Sequence, residues 1–207
     1  MTRAIDGYLD PVDFYFDFSS PYGYIAATRI DEIAARHGRT VTWRPILLGA
    51  VFKLTGQQPL ATIPIKGDYA RHDIERSARL HGVPLKLPSK FPIGSTAACR
   101  AFYSLTDRDP RLAVRFALAL YKAYFADDRD ISTPEVTLEV AAEIGVPRDA
   151  LASALDEPAL KDRLRSEVDA AIARGVFGSP YFVVDDEPFW GSDRMDQLER
   201  WLSTGGW

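Results

Sequence analysis

The chain reads as an α/β fold in which a small strand-bearing unit is interrupted by an all-helical block. Three observations carry that reading. A period-two stretch, VDFYFDF (12–18), gives way at Pro21 to helical spacing and then to a second period-two stretch, TVTWRP (40–45). Between residues 68 and 175, helical patterns follow one another without a strand signal. Strand-like runs return only in SPYFVVDDEPFW (179–190), ahead of one last helical pattern.

In VDFYFDF, Val12, Phe14, Phe16 and Phe18 share one face while Asp13, Tyr15 and Asp17 take the other, the alternation of a strand. From Pro21 the period changes. Ile30, Ile33 and Ala34 recur at helical spacing as far as His37-Gly38, where glycine suits the left-handed conformation that ends a helix. Val41 and Trp43 then alternate in a second strand closed by Pro45. Strand, helix, strand over so short a stretch predicts a βαβ unit with parallel strands.

Residues 46 to 67 are apolar but broken by Gly and Pro, which predicts a short helix and a structured loop. Helical patterns follow at 68–81, 95–106 and 111–126; in the last, Leu112, Phe116, Ala119, Leu120 and Ala123 form a stripe. Ser132 and Glu135 have capping-box spacing ahead of Val136, Val140 and Ile144, with Gly145 as a stop. Leu160, Leu164, Val168 and Ile172 give a further helix ended by Gly175. After two strand-like runs around Asp185-Asp186-Glu187 comes GSDRMDQLERWL (191–202), a helix with Ser192 as N-cap and Asp193 near its positive end. The expected organisation is one domain from residues 1–47 plus 175–207, with a helical domain, 48–174, inserted.

Composition narrows the partners. A net charge of -4 and a pI near 5.4, with basic residues scattered among acidic ones, leave no electrostatic footprint for nucleic acid. The first residues lack the apolar core of a signal peptide, and no apolar run approaches the roughly 18 residues of a membrane span. The expectation is a cytoplasmic protein without a membrane partner. Cys99 is the only cysteine, so the chain has no CxxC pair, and His37, His72 and His81 are too dispersed for a metal site. Cys99 lies among Ala98, Phe102 and Leu105 and reads as a small buried apolar residue. Sulfur chemistry, if present, must use a borrowed thiol.

Two stretches carry candidate chemistry. Ser20-Pro21 is a favoured N-cap followed by the favoured first helical residue. The same place, at the carboxyl end of a strand in an α/β sheet, is where ligands meet a helix N-terminus and where a thiolate is stabilised. Downstream, GVFGSPYFVV (175–184) sets a proline at the entrance of a strand. Strand-turn-helix with proline second in the turn, then a distant Gly-x-Pro before a strand, is the layout of a thioredoxin-like fold, in which the later proline is cis.

With FKLTGQQP (52–59), IKGDY (65–69) and FWGSDRM (189–195), these stretches resemble the 2-hydroxychromene-2-carboxylate isomerases and kappa-class glutathione transferases, on the branch of the disulfide-bond-forming oxidoreductases. Ser20-Pro21-Tyr22-Gly23 stands where those oxidoreductases carry Cys-Pro-x-Cys. The resemblance spans about residues 12 to 202. It implies glutathione as cofactor, with Ser20 as the catalytic serine bonded to its sulfur. Ser179 and cis-Pro180 would pair with the cysteinyl backbone, and Ser192 and Asp193 would hold the γ-glutamyl end. Lys66 would meet a glutathione carboxylate, and Gln57 stands where relatives often carry asparagine. Lys53 and Tyr22 would line the site of a small aromatic carboxylate substrate, Tyr22 being equally suited to packing. A homodimer is also implied. The expected activity is glutathione-dependent cis-trans isomerisation in the catabolism of aromatic compounds; a kappa-like transferase or peroxidase, or a non-catalytic glutathione- or peptide-binding module, would use the same site differently.

Overall fold

A computed structural model describes residues 10 to 207; residues 1 to 9, assigned above to the first domain, lie outside the described residues. Strand β1 (Val12–Phe16) leads through Ser20 into helices α1 (Pro21–Ala27) and α2 (Ile30–Arg36), and strand β2 (Val41–Pro45) returns beside β1 in parallel register. The single helix expected from Pro21 to Gly38 is therefore two. Thr28 caps α1 and its hydroxyl bonds back to the Ile25 carbonyl, while Arg29, at φ -126°, leaves helical geometry before α2 begins. Gly38, at φ +67°, ends the second helix as expected.

Helices α3 (Leu48–Thr55), α4 (Lys66–Leu80), α5 (Thr96–Thr106), α6 (Pro110–Phe125), α7 (Pro134–Glu143), α8 (Arg148–Asp156) and α9 (Pro158–Ala173) follow. The helix α8 had no counterpart among the expected elements, and two other details differ. The buried face of α6 runs through Ala113, Phe116, Ala117, Leu120 and Tyr124, leaving Leu112 and Ala119 only half-buried. The α7 cap is Thr133, whose hydroxyl accepts from the Val136 N–H, while the Ser132 hydroxyl turns back to Asp130. Pro134 then takes the first helical position, where a missing N–H costs nothing.

Strands β3 (Tyr181–Val184) and β4 (Glu187–Trp190) form a hairpin through Asp185 and Asp186, both at positive φ. Sheet order is β2-β1-β3-β4, with β3 antiparallel to β1. The chain closes in a 3-10 turn, Ser192–Arg194, and helix α10 (Met195–Thr204). Ser192 thus opens the turn and makes no capping bond, which corrects its expected N-cap role.

Both faces of β1 are buried. On one, Phe14 and Phe16 stack and meet Trp43, Phe182 and Phe102 in a core that also takes Ile25, Ile30 and Leu198. On the other, Tyr15, Tyr181 and Val183 lie under Ala171 and Val176. Asp13 keeps its place on that face by pairing with Arg44 at 2.7 Å and with Arg174. The main core passes without a break from the sheet into the helical block, since Phe16 and Phe18 also contact Tyr121 of α6.

Candidate active site

A cavity of about 860 Å³ opens between the β1–α1 junction, α3 and the loop after it, α4, and the chain around Pro180 and Ser192. Of the nine residues singled out in the sequence, seven line it: Ser20, Tyr22, Gln57, Ser179, Pro180, Ser192 and Asp193. Lys53 and Lys66 do not. Lys53 sits in the last turn of α3 and Lys66 opens α4; both side chains are exposed, outside the cavity lining.

Ser20 is at the floor of the site, 5% exposed. Its hydroxyl accepts from the Gly23 N–H at 3.0 Å and donates to the Ser179 carbonyl at 2.8 Å. The first bond is the N-cap of α1; the second ties the helix start to the cis Ser179–Pro180 peptide. Pro180 in turn accepts the Gly191 N–H at 3.0 Å, which sets Ser192 and Asp193 beside the proline. Ser192 is buried, Asp193 exposed and paired with Arg194 at 3.0 Å.

Two glycines let these parts close up. A Cβ on Gly23 would lie 2.8 Å from the Tyr121 hydroxyl and 2.9 Å from the Ser179 hydroxyl. A Cβ on Gly178 would collide with the Trp190 indole, which is half exposed and forms one wall of the cavity.

Beneath the site lies Asp17, which sequence reading placed only on a strand face. It is 3% exposed, and its carboxylate accepts from the Ser19 N–H at 2.8 Å, the Leu48 N–H at 2.6 Å and the Ser95 hydroxyl at 2.8 Å. Its backbone N–H donates to the Ser179 hydroxyl, and its carbonyl accepts from Tyr121 and from the Ser20 N–H. One residue thus fastens the Ser20 turn, the start of α3 and the Pro180 segment together. Burial pushes its carboxyl above the ordinary value, against the pull of those donors. An acid just past an apolar strand pattern, three residues before a candidate serine, was the available signal.

The site residues missed by sequence reading are Asp73, which the Tyr22 hydroxyl reaches at 2.6 Å, and an apolar wall of Leu48, Phe52, Leu60, Ile63 and Phe91. Cys99 is fully buried, with its sulfur near the Ser95 hydroxyl and the Ile46 carbonyl, each at 3.7 Å. Burial pushes its thiol well up, so it stays protonated. Among the described residues no cluster suited to a metal ion occurs, and no helix is long and apolar enough to cross a membrane. The arrangement offers a hydroxyl donor, a cis-proline strand edge and a carboxylate beside a helix start, opposite an apolar wall. These suit a thiol-bearing peptide and an apolar co-ligand.

A family model described as "DSBA-like thioredoxin domain" matches residues 11–203. A 2-hydroxychromene-2-carboxylate isomerase of Sphingobium xenophagum is 33% identical over 193 residues, 92% of this chain and 97% of that protein. Glutathione S-transferase kappa 1 of Caenorhabditis elegans is 29% identical over 90% of this chain and 88% of its own. A solved 2-hydroxychromene-2-carboxylate isomerase superposes with a TM-score of 0.84 at 30% identity, covering 93% of this chain and 94% of that one. The chain therefore belongs to the DSBA-like thioredoxin domain family and, within it, to the family of the 2-hydroxychromene-2-carboxylate isomerases.

Proposed function

We infer that this protein is a glutathione-dependent cis-trans isomerase of 2-hydroxychromene-2-carboxylate type substrates, acting in the breakdown of aromatic compounds. The observation that carries the reading is the Ser20 hydroxyl, held at the cavity floor with its proton on the Ser179 carbonyl. Glutathione, when bound, would supply a thiolate nucleophile for reversible addition to the alkene of the ring-opened substrate.

The chain's own residues do the rest. Ser20 would turn its proton from the Ser179 carbonyl to the sulfur while still accepting from Gly23, which would leave the α1 cap in place. The freed Ser179 carbonyl then accepts the cysteinyl N–H. Ser192 and Asp193 hold the γ-glutamyl end, Asp193 taking its ammonium. Gln57 reaches the ligand from the loop after α3. Lys66 would need a swing of the α4 start to meet a carboxylate, and Lys53 a comparable movement of α3, since both lie outside the lining. Tyr22 and the apolar wall take the aromatic substrate, with water displaced from the reacting alkene.

The exposed position of Lys53 favours a second reading, a kappa-like transferase or peroxidase, because a pocket without that cation has less reason to select a carboxylate. We place the protein in the cytoplasm, since its one thiol is buried and unpaired. We take it to be a homodimer of a thioredoxin-like unit, residues 1–47 and 175–207, with 48–174 inserted. The test mixes purified protein with the chromene carboxylate, with and without glutathione, and follows the ultraviolet spectrum toward hydroxybenzylidenepyruvate. Glutathione-dependent conversion is the expected result. Conversion that ignores glutathione, or none at all alongside conjugation of an electrophile, would overturn the isomerase reading.

A further inference from the structure

Tyr22 and Asp73 meet inside the cavity from two different helices, α1 and α4, fifty-one positions apart. The Tyr22 hydroxyl has a single proton, and Asp73 Oδ2 accepts it at 2.6 Å. The other carboxylate oxygen of Asp73 accepts from the Arg76 guanidinium, which also reaches the Tyr69 hydroxyl at 3.1 Å. Partial burial pushes the Asp73 carboxyl upward, but the donors on it win and hold it below its ordinary value, so it is an anion at neutral pH.

The consequence is one of sign. With the tyrosine proton committed and Ser77 a further donor to the carboxylate, the pair is left with acceptors to offer: the phenol oxygen and what remains of the carboxylate lone pairs. Arg76 offsets the charge of Asp73, which favours a neutral donor over a cation. A carboxylate ligand would meet acceptors on both residues and be turned away. Around the pair the lining is mixed: Leu48, Phe52, Ile63 and Phe91 are apolar, while Tyr69 and Ser77, one turn of α4 on either side of Asp73, bring hydroxyls.

We propose that Tyr22 and Asp73 form a subsite that reads a neutral hydroxyl on the aromatic ligand and so fixes which way round its ring lies. The proposal rests on the reading that this cavity takes an aromatic co-ligand; in the isomerase reading the hydroxyl is the phenol of the ring-opened substrate. Orientation then follows. The ring hydroxyl points to α4, and the carboxylate end is driven to the opposite side of the cavity. Asp73 is a specificity residue, and its effect falls on which ligand binds.

The test is equilibrium binding of 2-hydroxycinnamate and 2-methoxycinnamate to the full chain in the presence of glutathione, followed by protein fluorescence. Wild-type protein is expected to prefer the hydroxy compound by about tenfold or more, the usual value of a bond to a charged acceptor. Asp73→Ala abolishes the preference. Asp73→Asn, which keeps the shape and so guards against misfolding, reduces it to about threefold, as expected when a charged acceptor becomes neutral and its bond about half as strong. Equal binding of the two compounds by wild type, or an undiminished preference in both variants, overturns the proposal. Preferential binding without isomerisation sinks only the isomerase reading; isomerisation without preference sinks only the subsite.

Discussion

Ser20 performs two tasks with different parts of one hydroxyl: its lone pair serves the helix and its proton serves whatever lies at the cavity floor. Ser20→Ala separates them. Loss of the cap lowers unfolding free energy by about 1 kcal/mol, read from denaturant titration. Loss of the donor removes about 1.5–3 kcal/mol from a bound thiolate. That raises the pKa of bound glutathione by roughly 1–2 units, visible as an alkaline shift of the thiolate absorbance. The sign is fixed, because a donor stabilises the ionised sulfur and its removal favours the protonated one. An unshifted titration would remove Ser20 from the chemistry. The serine was legible in the sequence because a cap and a proline mark the strand-helix turn, and a cis-proline segment announces itself by Gly-x-Pro before a strand. Asp17 and Asp73 were not legible: one looked like the polar half of a strand, the other like one charge among many on an exposed helix.

At the scale of elements, order was readable and phase was not. The change from period two to helical spacing at Pro21, and back at residue 179, located the strands and the parallel β1–β2 pair. Phase failed where alanine carries the contact. On α6, which packs against α5 and α1, the buried face includes Ala113 and Ala117, whereas counting large side chains points to Leu112 instead. The α7 cap failed for a related reason, since two adjacent hydroxyl residues fit the motif and only the proline at 134 selects Thr133. Thr133→Ala is expected to lower the unfolding free energy by about 1 kcal/mol, and Ser132→Ala, whose hydroxyl bonds Asp130 in a half-buried turn and caps no helix, by less. Denaturant melts of the two variants, compared with wild type, check the ranking.

Over the whole molecule, the cavity draws on six separate stretches of chain, and no local pattern could show which of them meet. That is why seven expected residues converge while Lys53 and Lys66, each in a plausible motif, face outward. A ligand held by Ser20, Gln57, Ser179 and Asp193 ties distant stretches of chain together and binds the folded state alone. Glutathione at a hundred times its dissociation constant is expected to add about 2.7 kcal/mol of stability. For a chain of this size that is a rise in Tm of roughly 5–10 °C by calorimetry; no rise at saturating concentration would count against glutathione as ligand.

The crowding around Gly23 also bears on where such a protein can go next. A side chain at that position must displace the Tyr121 and Ser179 hydroxyls, the two groups that hold the Asp17 backbone. Placing cysteine at both 20 and 23 is therefore expected to disturb the bonds on the Asp17 backbone as well as to add a dithiol. A new substrate asks only for new side chains on the apolar wall, whereas a dithiol asks for changes at 20 and 23 together with room made at Tyr121 and Ser179.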